Sequence, residues 1–163
     1  MILTATGHRP DKLGGYGDRR AFKNLMWLAE SAVERLQPEA VICGMAQGWD
    51  TAVAAAALLK CIPLIAAIPF RNQESRWPEA SKERYRLMLK MASSIKIISV
   101  GGYSAEKMQI RNEWMIDNAD YLIALFNGSQ GGTRNCLLYR RDHKPDMPYE
   151  NLWPQWMDLS ELV

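Results

Sequence analysis

AVICGMAQGWDTAVAAAALLKCIPLIAAIPF, residues 40–70, reads as a complete strand–helix–strand unit. Ala40 to Gly44 is a short run that is apolar on both faces, and Leu64 to Phe70 is another. Runs of this kind, without polar alternation, suit parallel strands that helices cover on both sides. Between them, Thr51 to Lys60 is rich in alanine and apolar all round, the pattern of a buried helix. Lys60 and Pro63 interrupt the apolar stretch from Thr51 to Phe70. It therefore fits a buried helix followed by a buried strand better than a membrane span.

The same grammar extends in both directions. Met1 to Thr6, Ile95 to Val100 and Tyr121 to Phe126 are further strand candidates. Asp18 is a good N-cap for a helix that places Phe22, Leu25, Met26, Ala29, Val33 and Leu36 on one face before Pro38 stops it. Pro78 can open a third helix with Tyr85, Met88, Leu89 and Ala92 inside. Ser104 can cap a fourth that runs to Ala119, and a fifth begins at the Gly131–Gly132–Thr133 turn and reaches about Asp142. Strands alternating with helices predict a Rossmann-like α/β fold: three layers, doubly wound, with a mainly parallel sheet of five or more strands. The 163 residues are expected to form one domain. Its tail from residue 146, with Trp153 and Trp156, either wraps the domain or forms a subunit contact, and a homo-oligomer is expected.

Composition narrows the function. Twenty Lys and Arg against eighteen Asp and Glu leave no basic cluster of the kind that engages a polyanion, so a nucleic-acid partner is not expected. Cys43, Cys61 and Cys136 are far apart and lack zinc spacing. They read as small hydrophobes of a reduced cytosolic protein. His8 and His143 are the only histidines, so no metal and no cofactor is expected. The opening MILTATGHRP has neither a charged n-region nor a long h-region, which points to the cytoplasm.

In such a sheet, ligands bind beyond the carboxyl ends of the strands. The loops predicted there are Thr6-Gly7-His8-Arg9, Gly44 to Asp50, Pro69 to Gln73 and Asn127-Gly128 through Gly131-Gly132-Thr133. Glycine turns that lead into helices suit an anion, because main-chain N–H groups and the helix dipole face it. Arg9 can clamp a phosphate or carboxylate, or pair with a nearby acid on the surface. His8 can act as a general acid or base, although no partner for it is evident in sequence. Gln47 and Gly48 belong to the second loop, where Asp50 is either an N-cap or a carboxylate for ribose hydroxyls or catalysis. On the fourth helix, Arg111 and Asn112 interrupt a face otherwise made by Met108, Met115 and Ala119. A buried arginine needs an acid or a ligand anion, and Asp120 is one possible partner. Trp77, Trp114, Trp153 and Trp156 are expected in the core or an interface.

Five segments together resemble the SLOG superfamily, and most closely its YpsA-like branch, which also occurs in phages. They are TGHRPDKLGGY (6–16), GMAQGWDTAVAAAA (44–57), PLIAAIPFRNQESRWP (63–78), MQIRNEWMIDNADYLIALFNG (108–128) and the turn at 131–133. The superfamily includes DprA/Smf and the Lonely Guy phosphoribohydrolases. The resemblance implies a nucleotide or nucleotide-derived ligand, ADP-ribose-like or cyclic, held by a sensor or sequestering protein. Arg111 is similar to the Lonely Guy arginine, but the glutamate that supports N-glycosidic cleavage there aligns with Cys136. Asp50 or Glu113 would have to replace it in a nucleotide N-glycosidase, the alternative reading. Single-stranded DNA binding in the manner of DprA is a third.

Overall fold

The computed structural model describes residues 1–15 and 17–161. Tyr16, which closes the glycine-rich motif, and Leu162 and Val163 of the tail lie outside the described residues. The chain runs β1 (Ile2–Gly7), α1 (Arg19–Leu36), β2 (Ala40–Cys43), α2 (Trp49–Leu59), β3 (Leu64–Ile68), α3 (Glu79–Met91), β4 (Ser94–Ile97), α4 (Ala105–Asp117), β5 (Tyr121–Leu125), α5 (Gly132–His143), β6 (Tyr149–Asn151) and α6 (Trp153–Glu161). A single 3₁₀ turn, Pro10–Lys12, follows β1.

The six strands form one sheet in the order β4-β3-β2-β1-β5-β6, with every pairing parallel. The predicted Rossmann-like α/β architecture is thus observed, and β6 is a sixth strand that the apolar pattern did not announce. Tyr149–Asn151 is too short and too polar to register as a strand; it forms because the β5 edge offers unpaired main-chain groups. The tail therefore adds a strand to the sheet and a helix to its face. Buried Trp156 anchors α6, which packs against α1.

Two apolar layers flank the sheet. One joins α1, α2, α3 and α6 to Leu3, Val41, Leu64 and Ile123, and the other joins α4 and α5 to Ile42, Ala67 and Leu122. β4 departs from expectation: all four of its residues are exposed, with Ile95 and Ile97 nearly half so. It is an edge strand, so helices cover it incompletely. Cys43 and Cys136 are buried as expected, whereas Cys61 is exposed just past the end of α2.

Candidate functional site

The strand order turns back on itself between β1 and β5, which neighbour each other although three other strands of the sheet separate them in sequence. Such a switch point opens a crevice, because the loops leaving the two strands diverge to opposite faces. A polar cavity of about 220 Å³ lies there. Thr6, Gly7, His8 and Arg9 line it from the β1 exit, and Gly131, Gly132 and Thr133 from the start of α5. Ala46 and Asp50 close it from the β2–α2 side, and Arg111 and Asn112 from α4. Sequence reasoning missed Asp11, Lys12, Ser129 and Gln130 on its rim, although all four lie inside or beside the motifs quoted above. Lys12 Nζ donates to Ser129 Oγ at 2.7 Å and ties the β1 loop to the β5 loop.

The glycines of these loops divide into two kinds. A Cβ on Gly7 would lie 2.4 Å from Trp49 Cδ1, and one on Gly44 would lie 2.5 Å from Arg111 Nη1. One on Gly48, whose φ is +87°, would lie 2.5 Å from the His8 carbonyl oxygen. These three glycines permit close packing of the protein against itself. By contrast, nothing approaches within 4 Å of the Cβ direction at Gly128, Gly131 or Gly132. Gly131 (φ +142°) is the N-cap of α5, with no side-chain cap bond, and the first main-chain turn closes only at Asn135 N–H to Gly131 O, 3.0 Å. The N–H groups of Gly132, Thr133 and Arg134 precede that bond and have no partner inside the helix. They give the cavity wall an electropositive end.

Arg111 is buried, and its guanidinium is held on two of its three nitrogens. Nε donates to Asn112 Oδ1 at 2.9 Å, and Nη1 donates to the carbonyls of Gly44 (2.5 Å) and Ala67 (3.4 Å). Nη2 makes no hydrogen bond among the described residues. The acid facing Arg111 across Gly44 is Asp50, also buried, whose Oδ2 accepts from Ala46 N–H at 3.2 Å. Asp120 is not the partner: it accepts from Ile2 N–H at 2.7 Å, at the opposite end of the sheet. Nor is Asp50 an N-cap, since Gly48 holds that position and Asp50 sits in the first turn of α2. Burial raises the Asp50 carboxyl above the ordinary carboxylate value and lowers Arg111, while each charge partly restores the other.

His8 is also buried, edge-on to Trp153 at 5.7 Å and tilted against Phe126 at 5.8 Å. Its Nε2 receives the Asn127 backbone N–H at 2.9 Å and lies 2.8 Å from Asn127 Oδ1. Desolvation lowers its pKa from 6.5, so at neutral pH it is an uncharged clamp between the β1 and β5 loops. Asn127 thus acts through His8 and does not itself line the cavity, and neither does Gly128. Gln47 faces a second, apolar cavity instead. Glu113 is not brought to the site: it lies on α4 and accepts from Gln109 Nε2 at 3.3 Å. Cys136 lies fully buried, and desolvation pushes its pKa up to about 12.

The model of the YspA SLOG family matches residues 3–153. The SPbeta prophage-derived protein YoqJ of Bacillus subtilis (strain 168) is 38% identical over 88 residues, which are 47% of this chain and 52% of that protein. A UPF0398 protein of Bacillus cereus (strain B4264) is 22% identical over 177 aligned positions, covering 99% of this chain and 94% of its own length. Among solved structures, DNA processing protein A from Streptococcus pneumoniae superposes with a TM-score of 0.59 at 18% identity, over 86% of this chain and 47% of the other. The Helicobacter pylori protein, described for its single-stranded DNA binding mode, superposes with a TM-score of 0.63 at 14% identity, over 91% and 63%. The match with the prophage protein and with the pneumococcal structure thus spans about half of each.

Proposed function

The chain belongs to the YspA SLOG family, and on that premise we propose that it binds a nucleotide or nucleotide-derived small molecule with its phosphate at the start of α5. One observation carries this reading. The start of α5, whose first N–H groups have no partner inside the helix, and buried Arg111, whose Nη2 makes no hydrogen bond among the described residues, line the same polar cavity, beside glycines whose open sides face no protein atom. A phosphate oxygen would accept from both, and Arg9 at the mouth adds a further positive charge. The ligand is held as by a sensor or sequestering protein, because α5 offers the buried neutral thiol of Cys136 where a nucleotide-cleaving relative would carry a carboxylate. The homo-oligomer expected from the tail belongs to the same proposal, and sedimentation tests it.

Calorimetry with mononucleotides, ADP-ribose and cyclic nucleotides is the direct test. We expect phosphorylated ligands to bind and Arg9→Ala to weaken AMP about 10-fold or more while leaving adenosine nearly unchanged, the loss of a charge-assisted bond. Equal losses for both ligands would show that Arg9 acts through structure. Absence of binding across the panel by folded protein would overturn the reading, and so would preferential binding of single-stranded oligonucleotides.

A second reading, a nucleotide N-glycosidase, is favoured by Asp50, a buried carboxyl of raised pKa lining the cavity. Chromatographic detection of released base, abolished by Asp50→Asn in a folded variant, would establish it instead.

A further inference from the structure

The apolar cavity that Gln47 faces has a volume of about 460 Å³ and shares no lining residue with the polar one among the described residues. The wall between them is closed. Gly48 packs so tightly there that a Cβ on it would lie 2.9 Å from Arg9 Cα, and the His8 carbonyl accepts from Trp49 N–H at 3.2 Å. The apolar cavity is therefore a compartment of its own. Its volume falls within the roughly 300–1,000 Å³ of sites that enclose small organic ligands.

The compartment exists because α1 and α3 both pack on alanine-rich α2 and leave a gap over its first turn. Buried Leu13, Leu25, Tyr85 and Met88 make the floor of that gap apolar. Trp77, half-buried and edge-on to Tyr85 at 5.1 Å, adds a second ring to the lining, and Phe22 of α1 adds a third.

The mouth is cationic. Arg84 reaches from α3 toward α1 and holds its guanidinium 4.9 Å over the Phe22 ring. It is exposed, as is Arg19, and neither makes a hydrogen bond or an ion pair among the described residues. Asp18 is the one acid among the described lining residues, and it is committed to α1, where its Oδ1 accepts from Ala21 N–H at 3.0 Å. An apolar, ring-lined floor beneath two unpaired arginines complements a molecule with a flat apolar body and one anionic end.

We propose that the cavity between α1, α2 and α3 is a second ligand site, separate from the polar cavity, and that it takes a planar aromatic carboxylate. The ring lies on the floor beside Trp77 and Tyr85, and the carboxylate accepts from Arg84. This site goes beyond the phosphate reading and does not depend on it.

Wild-type protein is titrated calorimetrically with benzoate, 2-naphthoate and indole-3-carboxylate, and with the uncharged amide of each. At least one carboxylate is expected to bind 10-fold or more tightly than its amide. Arg84→Gln, at an exposed position, is expected to cancel that preference while leaving the amide within two-fold of wild type. Ala80→Trp, at an exposed α3 position lining the cavity, is expected to weaken acid and amide alike by 10-fold or more. Saturating AMP is expected to leave the affinity for the carboxylate unchanged. Failure of folded wild type to bind any of the three acids, or equal binding of each acid and its amide, would overturn the proposal. So would a preference that survives Arg84→Gln, or binding that folded Ala80→Trp retains in full. Displacement by AMP would overturn the separation of the two sites.

Discussion

At the scale of single residues, the glycines separate packing from ligand approach, and substitution tests that division. Gly7→Ala drives a methyl into the Trp49 indole, so a loss of about 1–3 kcal/mol in urea unfolding is expected, the usual cost of overpacking. Gly132→Ala meets nothing, so its stability should stay within about 0.5 kcal/mol of wild type. Its binding of AMP should nonetheless weaken, because the new methyl borders the phosphate position. Unchanged stability in Gly7→Ala would show that the β1–α2 contact yields easily. His8 supplies a pH dependence. Its folded pKa is lowered by burial, so the unfolded chain takes up the proton more readily. Its contribution to stability is full above about pH 6.5 and is lost as the pH falls from there toward the lower folded value. Comparing the pH profiles of wild type and His8→Gln isolates this effect; identical profiles between pH 5 and 7 would refute it. All of these residues are legible in the sequence as glycines and a histidine at strand ends. Their division of labour is not, because it depends on Trp49 and Asn127, which reach them from elsewhere in the fold.

Among elements, the final strand and helix do more than extend the sheet. Asn151 of β6 accepts from the Phe126 and Trp153 N–H groups and donates to the Phe126 carbonyl at 2.8 Å, which pins the exit of β5. Trp153 then backs the His8 ring, so β6 and α6 buttress the site from outside it. Trp156→Ala should cost about 3–5 kcal/mol in chemical denaturation, since the indole is buried between α6 and α1. Asn151→Ala should leave secondary structure intact by circular dichroism yet weaken nucleotide binding several-fold, through a loosened β5 loop. Wild-type affinity in that variant would restrict β6 to a structural part. The pattern of apolar runs predicted α1 to α5 to within a few residues, because each buries a face of its own sequence. It did not predict β6, whose formation depends on the neighbouring strand rather than on its three residues.

For the whole molecule, burial is graded across the sheet. β1 and β5 are both interior strands with nearly all their side chains covered, whereas every residue of the edge strand β4 is exposed. Native-state hydrogen exchange should show the amides of β1 and β5 opening only with global unfolding and those of β4 exchanging orders of magnitude faster. Equal protection at β4 would mean that another chain covers that edge in solution. The sequence by itself determined the parallel α/β architecture and the strand ends where a site can form. Strand periodicity, helix caps and glycine turns are local, and each is written in a few consecutive residues. Only the tertiary structure decided that Asp50 rather than Asp120 faces Arg111, that Glu113 points elsewhere and that Gln47 turns away from the polar cavity into the apolar one. Those outcomes follow from the strand order, which carries residues 60 or more positions apart to one edge of the sheet, and no local pattern encodes which of them will meet.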